Sequence, residues 1–190
     1  PIILLLRFSG EGEVFFSQER MGKGGSLFSL HKFATMLKDS PNLGPGTLTV
    51  QNDPRILPLG KFLRKTKINE LPQLINILFG DISIIGPRPL TSKNFQFYTE
   101  EVQSKISSFR PGLSGIGSIV FRDEESVIAS SKKNSCDCYK EDISPYKGEL
   151  ECWFIDNKSF LLYLALILVT AWTVILPKSK IIWRIFPSLP

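Results

Sequence analysis

The chain has 190 residues, enough for one compact domain with its own core or for a modest domain plus a membrane segment. It is 43% hydrophobic and 22% charged, with a mean hydropathy of +0.05, which excludes an acidic, disordered or collagen-like protein. The net charge of +5 belongs to the first half: residues 1–93 hold 12 basic and 7 acidic residues, whereas residues 94–190 hold 11 of each. A polyanion, an anionic lipid head or a phosphorylated substrate is expected there. Cys136, Cys138 and Cys152 form an odd set in a chain too large to need disulfide staples, and read as reduced thiols facing the cytosol. With His31 as the single histidine, no zinc ligand set of the usual spacing can form.

In chain order, Pro1-Ile2-Ile3-Leu4-Leu5-Leu6 reads as the tail of a longer hydrophobic segment, with a short buried strand as the alternative. Short apolar runs between Glu13 and Phe33, broken by Gly22, Lys23, Gly24 and Gly25, predict a β-hairpin. His31 falls in an alternating strand-like run, which favours a structural role. Residues 40–54, rich in Pro, Gly and Asn (Pro41, Gly44, Pro45, Asn52), predict a loop, and a helix begins near Leu57 to Gly60. A second helix is expected from Asn69 to Leu78, capped by Asn69, with Pro72 in its first turn and Gly80 as its stop. Ile82 to Ile85 reads as a short strand, 95–108 as a polar helix, Arg110 to Gly115 as a turn-rich loop, and 123–151 as helices with surface loops.

The last apolar run, Phe160 to Leu176, has no charge between Lys158 and Lys178. As a helix it would be roughly 25 Å long, short of a typical hydrocarbon core of about 30 Å. Lys178, Lys180 and Arg184, interleaved with Trp183 and Phe186, suit a cytoplasmic membrane interface, whether the helix spans, re-enters or lies along the surface. A buried core helix is the alternative. The pattern as a whole predicts an α/β chain (mixed α+β), mostly helical with a small β-hairpin or sheet.

The chemistry concentrates in one stretch. Arg55, Lys61, Arg64, Lys65 and Lys67 stand together without an acid and lead into the helix start at Asn69, where free N–H groups favour phosphate. Glu70 is the single carboxylate between Asp53 and Asp81. Arg88, between Pro87 and Pro89, and Arg110, before Pro111-Gly112, sit on stiffened backbone that can hold a guanidinium for a two-point phosphate contact. The alternatives are a solvated basic face, a helix-starting glutamate and structural salt bridges. Nucleic acid is a poor fit, because the aromatic interleaving of an RNA-binding sheet is missing.

Seven stretches in order resemble the bacterial sugar transferases, the monotopic phosphoglycosyl transferases. They are Phe16-Ser17-Gln18-Glu19-Arg20-Met21-Gly22, Lys32-Phe33-Ala34-Thr35-Met36, Asp53-Pro54-Arg55-Ile56, Gly60-Lys61-Phe62-Leu63-Arg64-Lys65-Thr66, Asn69-Glu70-Leu71-Pro72-Gln73-Leu74, Gly80-Asp81-Ile82-Ser83-Ile84-Ile85-Gly86-Pro87-Arg88-Pro89 and Pro111-Gly112-Leu113-Ser114-Gly115. The resemblance implies transfer of a sugar-1-phosphate from a nucleotide diphosphate sugar to a polyprenol phosphate, with Mg²⁺, at the cytoplasmic face of the bacterial inner membrane. That step begins the assembly of capsule, O-antigen or exopolysaccharide, so downstream glycosyltransferases are implied partners alongside membrane lipid. It further implies residues 1–9 as the end of a truncated N-terminal re-entrant helix with Pro1 at its kink, 10–158 as the catalytic domain, and 159–190 as a membrane-associated helix and tail.

By the same resemblance, Glu70 would be metal ligand, base or nucleophile, and Asn69 would orient a phosphate or cap the helix. Arg55, Arg64, Lys65, Gln73, Arg88 and Arg110 would hold phosphate. The chain departs from the family pattern at three places. Asn69 occupies the position of the aspartate that attacks phosphorus, Ala34 that of an arginine, and an aspartate and a lysine common near Tyr163 and Ala165 are missing. An amide is a poor nucleophile. The alternative to an active enzyme is therefore a catalytically silent relative that binds polyprenol phosphate or a glycosyltransferase partner as a membrane scaffold.

Overall fold

The computed structural model describes residues 1–44, 46 and 48–190. The chain is mixed α/β, about half helical, with two small sheets. It opens with α1 (Ile2–Arg7), a short helix rather than a strand, which buries Leu6 and leaves Ile3, Leu4, Leu5 and Phe8 exposed. The expected hairpin follows as β1 (Phe15–Met21) and β2 (Leu27–Phe33), antiparallel, with Phe16 opposite Lys32 and Arg20 opposite Phe28. Side chains alternate along a strand, so this register puts Gln18, Arg20 and Lys32 on one face. His31 stays on the other face, where its Nδ1 lies 2.8 Å from the Ser17 hydroxyl. Among the described residues, the expected loop at 40–54 contains a 3-10 turn, Ser40–Asn42; Pro45 and Thr47 lie outside the described residues.

Helix α2 (Pro58–Lys65) begins on Pro58, whose missing N–H costs nothing in a first turn. The continuous helix expected from Asn69 is broken in two. A 3-10 turn, Ile68–Glu70, follows Lys67 in a left-handed conformation, and α3 (Gln73–Phe79) starts after Pro72. Pro72 has no N–H to continue the helical ladder, and the Asn69 side chain caps nothing. The predicted stop is correct: Gly80 at φ +82° lets its N–H reach the Ile77 carbonyl and the Asp81 N–H reach that of Asn76, closing the helix end.

The second half is built around β3 (Ser83–Ile85). Short α4 (Ser92–Phe95) and α5 (Glu100–Ser107) replace the single helix expected at 95–108, each started by a threonine side chain, Thr91 and Thr99. The loop expected at Arg110–Gly115 contains β4 (Gly112–Ser114), parallel to β3. Where the chain leaves β3 it comes so close to β4 that a Cβ on Gly112 would sit 2.1 Å from the Gly86 nitrogen. Only glycine fits there. Helices α6 (Ile116–Val120), α7 (Glu124–Ser130), α8 (Ser135–Cys138), α9 (Ser144–Asp156), α10 (Phe160–Ile175) and α11 (Ile181–Ile185) complete the chain. All three cysteines are free.

The main apolar cluster of the second half packs Ile85, Ile116, Ile119, Leu150 and Phe154 against Leu162, Leu166, Val169 and Ile182. Helix α10 is therefore neither a separate anchor nor a fully buried rod. It buries Leu162, Leu166, Val169 and Thr173, while Leu161, Leu164, Leu168, Trp172 and Ile175 form an exposed apolar stripe. Among the described residues, no helix is long and apolar enough to cross a membrane.

Helix α3 is turned inside out. Its polar Gln73 and Asn76 are buried, whereas Leu74, Ile75, Leu78 and Phe79 are exposed, the last two by 85% and 82%. The buried polar face earns its position by joining α3 to the hairpin: Asn76 Nδ2 donates to the Ser29 carbonyl (2.8 Å) and its Oδ1 accepts from the His31 N–H (3.1 Å).

Candidate active site

That clamp sets β2 against the Ile68–Glu70 turn, and the hairpin carries Lys32 and Arg20 with it. Arg88 arrives from the opposite side, on the Pro87-Arg88-Pro89 segment after β3. Its Nη2 lies 3.4 Å from Glu70 Oε1, and Lys67 Nζ stands 3.9 Å from the same oxygen. Arg20 donates to the Pro89 carbonyl (3.2 Å) and to Gln18 Oε1 (2.5 Å), so the hairpin and the proline segment are tied together. Burial on its own would raise the Glu70 carboxyl, but Arg88, Lys32 and Lys67 outweigh it and hold it at about 2. For Lys32 the balance goes the other way: burial, with Arg88, Arg20 and Arg64 nearby, overrides Glu70 and pushes the ammonium down to about 7. Burial, then Arg88, lowers Arg20 to about 10.

One carboxylate among four cations is an anion site with its own counter-charge already in place. A diphosphate or phosphate arriving there meets Arg88, Arg20, Lys32 and Lys67, with Glu70 keeping the cations from repelling one another in its absence.

A second layer supports the first. The Arg88 N–H donates to Glu151 Oε1 at 3.4 Å, and Glu151 is 1% exposed with its Oε2 unpartnered among the described residues. Burial pushes the Glu151 carboxyl up to about 7. Lys147, one turn earlier on α9, is also buried, pairs with Glu124, and has its ammonium 5.6 Å from the Tyr139 ring centroid and 5.8 Å from that of Phe121. Neither Lys147 nor Glu151 was expected from the sequence, where they sit in a charge cluster that reads as solvated surface.

The residues expected to act are only partly assembled. Glu70 and Arg88 are paired. Asn69 is 5% exposed with a buried, unpartnered Oδ1, and Gln73 is 2% exposed with an unpartnered Nε2, both bordering the Glu70 turn. Arg64 reaches from α2 to Glu125 on α7 (3.0 Å), and its charge is felt at Lys32. Lys65 is exposed on α2. Arg110 lies apart, its guanidinium beside Gly80 at the far end of α3.

Arg55 is a correction. Phosphate binding was expected of it, but its donors are engaged by Asp53 (2.8 and 2.6 Å) and by the carbonyls of Ser40, Leu43, Gly46 and Leu48 (2.6 to 2.8 Å). The same hydrogen bonds hold the Asp53 carboxyl at about 2. Arg55 closes the loop at 40–54 and has no edge left for a ligand. Arg55→Ala is expected to destabilise the fold by about 3–5 kcal/mol, because it strands a buried carboxylate and several carbonyls. Equilibrium urea unfolding checks this; a change below about 1 kcal/mol would contradict it.

For the magnesium expected from the resemblance, this site would offer Glu70 as a carboxylate ligand, to be completed by substrate phosphates. No group of three or more metal-binding side chains exists among the described residues, and Glu70 already faces Arg88, Lys67 and Lys32. A divalent cation bound by protein alone usually requires more anionic oxygens than one. Magnesium chloride without nucleotide is therefore expected to leave the thermal midpoint unchanged. A saturable upward shift that Glu70→Gln removes would overturn that expectation.

The sequence profile of bacterial sugar transferases matches residues 1–177. An uncharacterised sugar transferase of Bacillus subtilis is 33% identical over 177 residues, 93% of this chain and 77% of its own length. The UDP-glucose:undecaprenyl-phosphate glucose-1-phosphate transferase of Escherichia coli is 38% identical over 135 residues, 70% of this chain but 29% of its own length. A putative undecaprenyl-phosphate N-acetylgalactosaminyl 1-phosphate transferase of Bacillus subtilis is 41% identical over 106 residues, 56% of each chain. The anion site at Glu70 and Arg88 is thus formed within a matched region that covers nearly the whole molecule, and the chain belongs to the bacterial sugar transferase family.

Proposed function

We propose that this protein transfers a sugar-1-phosphate from a nucleotide diphosphate sugar to a polyprenol phosphate at the cytoplasmic face of the bacterial inner membrane. The observation that carries this reading is the placement of the half-buried Glu70–Arg88 pair at the root of α3, whose outward face is apolar. A site for charged phosphates and a surface suited to lipid meet on one short element. Relatives named for undecaprenyl-phosphate sugar phosphate transfer support it.

In this reading an oxygen of the polyprenol phosphate attacks the phosphorus that carries the sugar. The bond to the bridging pyrophosphate oxygen breaks, and the nucleoside monophosphate leaves with the electron pair. Arg88, Arg20, Lys32 and Lys67 bear the charge that develops on the transferring and leaving oxygens. Glu70 keeps those cations fixed and oriented. The product lipid would pass to downstream glycosyltransferases. The test is incubation of membrane-reconstituted protein with polyprenol phosphate, magnesium and a panel of nucleotide sugars, with release of nucleoside monophosphate followed. The second reading, a silent scaffold that binds polyprenol phosphate, rests on Asn69, and binding without release is its signature.

The Lys32 ammonium gives the site a pH dependence. It is charged below about 7 and loses its proton above that value in the free protein, and a bound anion would restore it. Binding of a nucleotide diphosphate sugar, whose own charge is constant in this range, should take up a proton and weaken by up to about tenfold per pH unit above 7. Calorimetry from pH 6 to 9 checks this. An affinity that is flat, or that rises with pH, would show that Lys32 does not face the ligand, and Lys32→Arg should flatten the profile.

A further inference from the structure

A second cationic cleft, of about 790 Å³, has neither Glu70 nor Arg88 in its lining. Lys23 from the hairpin turn, Arg110 from the start of the β4 segment and Lys158 from the α9–α10 junction line it, and none of its lining residues is a carboxylate. Its floor is aromatic: Phe109, Phe160 and Tyr163. The Lys158 ammonium stands 4.9 Å from the Phe109 ring centroid, and the Tyr163 hydroxyl accepts from the Ile85 N–H at 3.4 Å, so both flanks are held. The nearest acid in sequence, Asp156, is occupied by Lys105 at 2.5 Å.

The cleft has a directional surrounding. One wall is the first turn of α10, and from there the exposed stripe of Leu161, Leu164, Leu168, Trp172 and Ile175 runs on along the helix. Three cations over an aromatic floor, continued by a strip of apolar surface, match a molecule with an anionic phosphate at one end and hydrocarbon at the other. We propose that this cleft binds the phosphodiester headgroup of an anionic membrane phospholipid, with the acyl chains laid along the α10 stripe. Arg110, set apart from the Glu70 site, thereby acts on the membrane rather than on the donor diphosphate. The proposal rests on the membrane-surface reading above, and the test separates the two.

The full chain is sedimented with vesicles of phosphatidylcholine and with vesicles in which one third is phosphatidylglycerol. Binding to the neutral vesicles tests the membrane reading. The increment on adding phosphatidylglycerol tests the cleft. The combined Arg110→Gln and Lys158→Gln variant should lose about 25-fold of that increment, at roughly fivefold per cation, with neutral-vesicle binding and circular dichroism unchanged. Ser108→Trp, at an exposed position on the cleft wall, fills the cleft without altering charge and should lose the increment as well. If Ser108→Trp keeps it, the cations act only as a diffuse surface field and the proposal falls. It falls also if inorganic phosphate competes as well as soluble glycerophosphoglycerol does at millimolar concentration, or if a trace of polyprenol phosphate, and not phosphatidylglycerol, produces the increment. Binding to neither vesicle overturns both readings; binding to neutral vesicles without an increment overturns this one alone.

Discussion

Arg88→Lys is expected to lower kcat/KM by about 10- to 150-fold, the equivalent of roughly 1.5–3 kcal/mol of lost charge-assisted hydrogen bonding in the transition state. The guanidinium is half held and half offered. Pro87 and Pro89 restrict its backbone, Glu151 accepts its N–H, and one nitrogen leans on Glu70 at 3.4 Å, while its side chain remains 29% exposed. A planar fork presented in this way can take two phosphate oxygens at once. A lysine carries the same charge on a flexible stem and cannot. The reference is Lys132→Gln on the exposed loop after α7, which should change the rate by less than about twofold. Steady-state kinetics on reconstituted protein decide: equal small effects in both variants would make Arg88 a structural partner of Glu70. A fall in kcat with KM held would place its contribution in the transition state, and a rise in KM alone would place it in donor binding.

Much of this site is legible in the sequence, and what is not has identifiable causes. The hairpin, the Gly80 stop and the short strand before Gly86 follow from local chemistry, turn residues and period, and the structure contains all three. Arg88 stands out because prolines flank it. Arg20 and Lys32 are visible as members of recurring stretches, but their convergence on Glu70 depends on strand register and on Asn76 clamping α3 to β2, which are tertiary facts. Arg55 misleads because basic residues near a helix start suggest phosphate, whereas an arginine two residues after an aspartate, beside a glycine-rich loop, can equally be a loop closure. The inverted polarity of α3 is present in the residue order, with Gln73 and Asn76 on one face and Leu74, Ile75, Leu78 and Phe79 on the other. Nothing in the order itself says which face the protein buries. Lys147 and Glu151 are lost for a similar reason: i and i+4 charges on a helix read as solvated until the fold covers them.

The replacement Asn69→Asp is expected to have the largest effect on chemistry. In the parent protein the side chain is 5% exposed, its Oδ1 has no donor among the described residues, and the adjacent Glu70 carries the site's negative charge. An amide there cannot form a stable bond to phosphorus, so nucleotide sugar alone should leave the intact mass of the parent unchanged. Turnover should then require donor and polyprenol phosphate to be bound together, and Glu70→Gln should abolish it by freeing the surrounding cations to shift. The aspartate is isosteric, and the cations that hold the adjacent Glu70 carboxyl low, Arg88, Lys32 and Lys67, would favour its ionised form against burial and against the like charge of Glu70. Its carboxylate oxygen can attack the sugar-bearing phosphorus, breaking the pyrophosphate bond and releasing nucleoside monophosphate before the acceptor arrives. We expect a phosphosugar adduct by intact mass in Asn69→Asp that the parent lacks, together with a kcat about a hundredfold higher. Three other outcomes are informative. An adduct on the parent that Glu70→Gln removes would make Glu70 the nucleophile. Parent activity that vanishes in Asn69→Asp would assign the amide its own role as a donor to the transferred phosphate. Inactivity in both proteins, with polyprenol phosphate still bound, would favour the scaffold, since restoring the carboxylate would then have restored nothing.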